Sequence, residues 1–569
     1  MSLHATPLPC YNTTSHTIPL KASKSQQIKP LPIFNHLTVE TQSLLTCNTN
    51  ELIQQLQHSD AQHNNDCFRS TRLIYQYTTH NEQQPTYYIP TDANDTTLVF
   101  DSNFECGNLK RVIQLSANEY DLYLSNDTNS TIDCIQWFMF SISNTRCDIT
   151  YKLNIVNFIK PASLFNSGMQ PCMYSTINNN AWYRFAYNIA YYKINAKHYQ
   201  LTFTFELQHN NDLVYVSYHE PYSYTRLLHD LYTIQQSAQQ SIYCNQSVLC
   251  QSVAGNDVYR LTITDSSFSD TNKRYIVISS RVHSGESNSS LVMHGIIQYL
   301  LSTHTTAQQL RRQCVFEIIP MLNPDGVILG NYRCNSLGVD LNRVYDSPNI
   351  TQHPSIYALK QLISSITTVY AYYDIHGHSR SFNVFTYGIQ LPSSAFDNRV
   401  LPLLCSELYN AFDYVRSHSI VSKHKQSTAR ITLAREFNIE RCYTIECSLG
   451  GCMNKQTQES YAFNTSHYNI IGQQLCRAIH ILINDHNRVH ALMQQLADTD
   501  SMRQSNNSDN MMTNGKQHMS RARDTIALND ITMQCNSMKS SRTTNKRSSK
   551  QSVIARLEAR LNASTYMSH

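Results

Sequence analysis

Tryptophan occurs twice and glycine fourteen times in 569 residues, so a collagenous or glycine-rich low-complexity chain is excluded. The seventeen cysteines are odd in number and include no Cys-x-x-Cys pair. That argues against both a disulfide framework and a zinc ribbon. No run of 18 apolar residues occurs, and the opening "MSLHATPLPCYNTTSHTIPLKASK" lacks an apolar signal core, so neither a membrane span nor a secretory leader is expected. Net charge is only +4, which gives no global field toward nucleic acid or membrane. These absences predict a soluble intracellular protein with reduced thiols. Its many Asn-x-Ser/Thr triplets then reflect asparagine-rich composition rather than glycosylation.

What is present is enough apolar sequence, 41%, for sizeable cores in a chain too long for one ordinary domain. Residues 1–88 are polar and mixed, with weak helical patches such as "ELIQQLQ", and read as a variable, partly disordered extension. From 89 to 222, short β-branched and aromatic runs such as "RVIQL", "YDLYL", "YKLNIVNF" and "YQLTFTFEL" are separated by turn residues. This predicts an antiparallel β-sandwich. From 223 to 490, strand and helix periods alternate: "RYIVISSR", "SSLVMHGIIQYLLS", "CVFEIIPML", "SIYALKQLISSI", "TVYAYYDIH" and "RCYTIECS", with a closing helix in "SHYNIIGQQLCRAIHILINDH". The expectation is an α/β domain with a mostly parallel central sheet. Residues 491–569 read as a basic, mostly disordered tail, with nine Lys/Arg against three Asp/Glu between 501 and 550 and a short amphipathic helix in "SVIARLEARLNAS".

One His-x-x-Glu pair, His283 and Glu286, follows the strand "RYIVISSR". With 24 His and 15 Glu in the chain, about 0.6 such pairs arise by chance, so the pair alone carries no meaning. A hydrolytic zinc site needs three protein ligands and an open position, and strand ends are where α/β sheets place ligands. "YAYYDIHGHSR" offers His376 as the third ligand, with His378 as the alternative; a surface-loop histidine is the plainer explanation of either taken alone. A peptidase also needs a carboxylate for proton transfer. Glu446 in "RCYTIECSLGG" ends a strand and fits, although such a Glu could equally face solvent or pair with Arg441. Arginine suits an oxyanion and a terminal carboxylate. Arg333 and the pair Asn342 and Arg343 follow the strand "VFEIIPML" in a long loop where binding residues concentrate.

The segments "VHSGESNSSLVMHG", "PMLNPDGVILGNYRC", "DLNRVY", "DIHGHSRSFNVFTYG", "STARITLARE" and "YTIECSLGG" occur in the order seen in cytosolic carboxypeptidases, the deglutamylase branch of the zinc carboxypeptidase (M14) family. Upstream, "FDSNFECGNLKRVIQ", "EYDLYL" and "QWFMFSISN" resemble the β-sandwich domain that precedes the catalytic domain in that branch. The resemblance covers roughly residues 95 to 485. It implies an α/β/α zinc-carboxypeptidase-like domain and one Zn2+ held by His283, Glu286 and His376. It further implies Glu446 as general base and acid, Arg333 as the oxyanion group, and Asn342 and Arg343 on the substrate's terminal carboxylate. Arg430, ahead of Lys425 and Arg435, is the candidate cation for a glutamate side chain; the plainer alternative is a salt bridge on a solvated strand.

The implied substrates are polyglutamylated tubulin and other acidic C-termini. A cytoplasmic monomer associated with microtubules, centrioles or cilia is expected, with no nucleic-acid or membrane partner. Two departures stand out: Ser284 replaces a usual proline between the first two ligands, predicting a less stiff loop, and Cys447 follows Glu446, where an exposed thiol would bring oxidation sensitivity. No tyrosine occupies the place expected for the mobile pocket tyrosine of secreted relatives, and Tyr387 is a poor substitute on position alone. A zinc amidohydrolase of small N-acyl amino acids and a silent scaffold that binds microtubules through its basic tail are the competing readings. The β-sandwich segments oppose the first, and the intact catalytic set opposes the second.

Overall fold

The computed structural model describes residues 20–21, 27–33, 71–77, 85–178, 181–454 and 460–513. The chain forms two compact units, Met1–Ala497 and Asp498–His569, and every candidate site residue lies in the first.

The β-rich half is a sandwich of two sheets. Its larger sheet contains β1 (Arg72–Gln76), β2 (Thr86–Tyr87), β4 (Leu109–Ser116), β5 (Glu119–Leu124), β7 (Thr150–Phe158), β10 (Tyr187–Lys193) and β11 (Tyr199–Glu206), in the order β10-β11-β7-β5-β4-β1-β2. The smaller has the order β9-β8-β12-β6-β3, built from β3 (Val99–Asp101), β6 (Met139–Ser143), β8 (Cys172–Ser175), β9 (Tyr183–Arg184) and β12 (Val214–Ser217). "EYDLYL" shows why these segments are strands: Tyr120, Leu122 and Leu124 point inward while the intervening side chains are half-exposed. The sandwich is antiparallel as expected except where β5 runs parallel to β7.

It also starts earlier than the expected boundary at residue 89. Strand β1 buries Ile74 and Tyr75, and Leu31 is buried with its N–H donating to Glu105 Oε2 at 3.1 Å. These short apolar pieces are masked in sequence by polar flanks on both sides. Apart from residues 20–21, 27–33, 71–77 and 85–88, the expected extension, including "ELIQQLQ", lies outside the described residues.

The second half centres on a seven-stranded sheet. Its strands are β13 (Cys244–Gln251), β14 (Asp257–Ile263), β15 (Arg274–Ser280), β16 (Cys314–Ile319), β17 (Val369–His378), β18 (Val384–Tyr387) and β19 (Arg441–Ser448), ordered β13-β14-β16-β15-β17-β19-β18. The four central strands β16, β15, β17 and β19 are mutually parallel, and the strands outside them pair antiparallel. In β15, Ile276 and Ile278 face one core and Val277 the other. Such a strand is covered on both sides, which explains its continuous apolar run. One face packs under α2 (Ser287–Leu300) and α8 (Thr465–Asn484); the opposite core holds residues of α5 (Pro354–Ser365) and α7 (Ala429–Glu436). From β15 the chain passes to β16 on one side and later to β17 on the other. The crevice beyond the carboxyl ends of β15 and β17 is therefore a topological switch point, where α/β sheets bind ligands.

A helix, α9, spans His486–Thr513 and buries Leu492 and Leu496. It crosses residue 491, where the basic tail was expected to begin; residues 514–569, including "SVIARLEARLNAS", lie outside the described residues.

Where the sandwich chain leaves β12, His219 is 1% exposed. Its Nδ1 lies 3.0 Å from Ser287 Oγ at the start of α2, and its Nε2 2.9 Å from the Tyr468 hydroxyl on α8. Burial, with Arg184 nearby, pushes its pKa from 6.5 down to about 3. The unfolded chain therefore binds more protons below pH 6.5, and stability falls as pH drops from 6.5 toward 3, by up to roughly 1.4 kcal/mol per pH unit from this group. Urea unfolding between pH 7 and 5 should show this decline in the native sequence and a shallower one in His219→Gln; equal slopes would remove His219 from the explanation.

Candidate active site

The crevice is a cleft of about 240 Å³, and every candidate site residue lines it. His283 and Glu286 sit in the loop between β15 and α2, His376 near the end of β17, and Glu446 on β19, directly paired in register with His376. Parallel register thus delivers His376 and Glu446 side by side from segments 70 residues apart.

His283, Glu286 and His376 are all buried, and their potential ligand atoms lie within 4.8 Å of one another. The Nδ1 atoms of both histidines face the same carboxylate, at 2.8 Å from Glu286 Oε1 and 3.1 Å from Oε2. Each Nε2 faces a further carboxylate: His283 that of Asp340 at 3.3 Å, His376 that of Asp374 at 2.7 Å. Two imidazoles and a carboxylate, each imidazole oriented from behind by an acid, form the donor chemistry of a catalytic zinc site. Burial alone would raise the Glu286 pKa, but the two histidines hold it well below the ordinary range. Burial would likewise lower that of His376, but Asp374 and Glu286 hold it well above. Three carboxylates around two imidazoles is an arrangement that a divalent cation would neutralise. His378, the alternative ligand, lines the cleft but is outside this group; burial pushes its pKa down to about 3, and its ring packs on Phe385 at 5.1 Å.

The ligand loop is held by hydrogen bonds. Arg281, 1% exposed and at φ +55, donates from Nε to Ser284 O (2.8 Å) and from Nη1 to Tyr222 O (2.8 Å) and Ser290 Oγ (3.0 Å). Ser284 Oγ donates to Asn331 O at 2.8 Å. These bonds anchor the loop at Ser284. Gly377 donates its N–H to Glu286 Oε2 at 2.8 Å, and a Cβ there would lie 2.2 Å from Asn288 Oδ1, so the close approach requires glycine.

Glu446 is partly buried, and desolvation raises its pKa above the usual 4.5. Cys447 is fully buried with its thiol pKa pushed up by burial, which removes the expected oxidation sensitivity. Arg333 Nε donates to Asp340 Oδ2 at 2.6 Å, so one carboxylate aligns both Arg333 and His283. Asn342 Oδ1 accepts from Ala429 N–H at 3.0 Å, and Arg343 Nη1 donates to Asn342 O at 2.7 Å. Arg430 lies on α7, not on a solvated strand, and is 3% exposed. It donates to Gly388 O, and among the described residues no carboxylate forms an ion pair with it or with Lys425. Tyr387 stands between them, its ring centroid 4.7 Å from Lys425 Nζ and 5.9 Å from the Arg430 guanidinium carbon.

Several residues of the cleft escaped the sequence reading. Asp374 was legible, because a two-residue step on a strand puts it on the same face as His376; Asp340 stands beside the Asn342–Arg343 pair in the quoted "DLNRVY". Lys160 was not legible. It reaches the cleft from the sandwich and donates to the Tyr332 hydroxyl and, at 3.2 Å, to Ser379 Oγ.

Comparison with known proteins agrees with this geometry. The family model for zinc carboxypeptidase matches residues 231–475, and that for the cytosolic carboxypeptidase N-terminal domain matches residues 100–219. Cytosolic carboxypeptidase 1 of Homo sapiens is 38% identical over 437 residues, 69% of this chain and 35% of that protein. Cytosolic carboxypeptidase 2 of Mus musculus is 39% identical over 401 residues, 67% of this chain and 46% of that protein. The chain thus spans between about a third and a half of the length of these relatives. Among solved structures, the metallo-carboxypeptidases of Burkholderia cenocepacia (TM-score 0.57, 22% identity) and Pseudomonas aeruginosa (TM-score 0.55, 20% identity) each cover 68% of this chain and 99% of their own, and share its fold.

Asp374→Ala removes the acid that orients His376, so metal affinity should drop by about 10- to 100-fold. Equilibrium dialysis against buffered zinc measures this; unchanged affinity would mean that Asp374 merely fills space.

Proposed function

The chain belongs to the cytosolic carboxypeptidase branch of the zinc carboxypeptidase family, and on that premise we propose that it is a zinc-dependent metallocarboxypeptidase. We propose further that it removes C-terminal glutamate from acidic protein tails in the cytoplasm, polyglutamylated tubulin among them. The carrying observation is that the His283, Glu286 and His376 donor set, Glu446, Arg333 and the Asn342–Arg343 pair all open on one cleft.

His283, Glu286 and His376 would hold one Zn2+, which would supply the Lewis acidity for activating water and polarising a carbonyl. The substrate's terminal carboxylate is gripped by Arg343 and Asn342, which fixes the scissile bond near the donor set. Glu446 takes the proton of the attacking water and returns it to the leaving amine. Its half-buried position supports both steps, because desolvation brings a carboxyl pKa closer to the working pH. Arg333, held by Asp340, meets the oxyanion as it develops.

Glutamate preference rests on Arg430 and Lys425. A buried guanidinium with no carboxylate partner among the described residues is costly unless a ligand supplies one. Tyr387 between the two cations offers a wall for the methylene groups of the side chain.

A peptide ending in several glutamates should release free glutamate, and Glu446→Gln should lower the rate by roughly 10²- to 10⁴-fold. A zinc chelator should abolish turnover and added zinc restore it. Cleavage of N-acyl amino acids with the peptide left intact would instead identify an amidohydrolase.

Arg430→Leu should cost about 1.5–3 kcal/mol, or roughly 10- to 150-fold in kcat/KM, on glutamate-ended peptides. Leucine-ended peptides should lose far less, and equal losses on both would remove Arg430 from the specificity pocket.

A further inference from the structure

The loop that carries Arg333 is held in place by the sandwich. Asp127, just after β5, accepts three successive backbone N–H groups, from Tyr332 (2.6 Å), Arg333 (2.7 Å) and Cys334 (2.7 Å). Thr128 donates its N–H and hydroxyl to Asn331 Oδ1, and Asn129 Nδ2 donates to Ser336 O at 2.9 Å.

Across the same contact two cysteines face each other. Cys134 of the sandwich and Cys334 of the loop are both buried and unbridged, and the ligand atoms of Asp127, Cys134 and Cys334 lie within 4.8 Å of one another. The Cys334 thiol also donates to Ser130 Oγ at 3.9 Å, and the nearby Cys334 sulfur lowers the Cys134 pKa. That direction favours Cys134 as the sulfur that attacks first. Residues 131–133, immediately before Cys134, are exposed and give a small oxidant a short path to its sulfur. A metal explains the cluster less well, because both Asp127 oxygens are already engaged by the three N–H groups.

We propose that Cys134 and Cys334 form a peroxide-responsive dithiol that closes a disulfide between the sandwich and the Arg333 loop. In the first step the Cys134 thiolate attacks hydrogen peroxide. The O–O bond breaks, and hydroxide leaves and is protonated to water; the sulfur is oxidised to a sulfenic acid. In the second, the Cys334 sulfur attacks that sulfenic sulfur, the S–S bond forms, and its oxygen leaves as a second water with the Cys334 proton. Both electrons of the oxidation go to the peroxide, and a small thiol reverses it by exchange. The bridge pins the Arg333 loop in its docked position, and the proposal is independent of the peptidase reading because its readouts are covalent and thermal.

The test uses the full chain, treated with hydrogen peroxide, alkylated without reductant and mapped by peptide mass. Peptides containing Cys134 and Cys334 should appear joined and two hydrogens lighter than their sum, and dithiothreitol should separate them. The oxidised protein should melt several degrees higher, since the bridge closes a loop of about 200 residues in the unfolded chain. Cys334→Ser should leave Cys134 as a sulfenic acid that dimedone captures. Alkylation of both residues while the half-exposed Cys147 and Cys250 oxidise would overturn the proposal. So would one equivalent of zinc that is lost on Cys134→Ser, because the sulfurs would then belong to a metal site.

Discussion

Burial of the Glu286 carboxylate, 6% exposed at the switch point of the sheet, is the constraint around which the second half is arranged. A carboxylate so placed is tolerated only with its oxygens fully engaged. Here His283 meets one, and His376 and the Gly377 N–H meet the other. Those partners come from β17 and from the loop between β15 and α2, so the register of β15 with β17 cannot slip by a residue without turning His376 to the opposite face. The Gly377 position, the buried Arg281 and the second tier of acids at Asp340 and Asp374 all follow from holding that one charge.

The sandwich is part of the same device. The role proposed for Arg333 needs a rigid loop, yet the loop crosses from β16 toward α5 with little regular structure of its own. Asp127 supplies the missing order by taking three consecutive N–H groups, a concentration of acceptors that the loop's own carbonyls do not provide. Gly338 shows how close the contact is: at φ +77, a Cβ would lie 2.3 Å from Asn129 O. Lys160 extends the dependence to the cleft itself. Without the sandwich, the Arg333 loop would lose the three bonds to Asp127, whereas the contacts among His283, Glu286 and His376 would remain.

The sequence made most of the second half legible. Strand and helix periods alternate cleanly there, and motifs after strand ends lie where the sheet gathers them. His283, Glu286, His376 and Glu446 could be assembled on that basis, and Asp374 was recoverable from strand alternation alone. What stayed hidden was non-local. Nothing in "SNDTNS" announces that Asp127 grips a loop 205 residues away, and nothing around Lys160 points to a cleft built by other strands. Arg430 was found by charge, but its burial depends on α7 packing against the sheet, which a short polar segment does not advertise. Strand β1 was missed because five residues among polar neighbours carry too weak a period.

Charge distribution joins these observations. The cleft gathers Lys160, Arg333, Arg343, Arg380, Lys425 and Arg430 against Glu286 and Glu446. Glu286 is spent on its histidines, which leaves Glu446 as the one acid facing six cations. Arg333 is tied to Asp340, and Arg343 borders the Asn342 carbonyl, so these two have fixed positions suited to fixed parts of a substrate backbone. Arg430 donates to Gly388 O, but among the described residues neither it nor Lys425 forms an ion pair with a carboxylate, so both leave positive charge facing the cleft. A ligand with a carboxylate at its terminus and another on its side chain satisfies both sets at once. A neutral side chain would leave a desolvated guanidinium unpaired. The proposed selectivity for acid would thus follow the same rule that arranges Glu286 and its histidines: each buried charge must find its opposite.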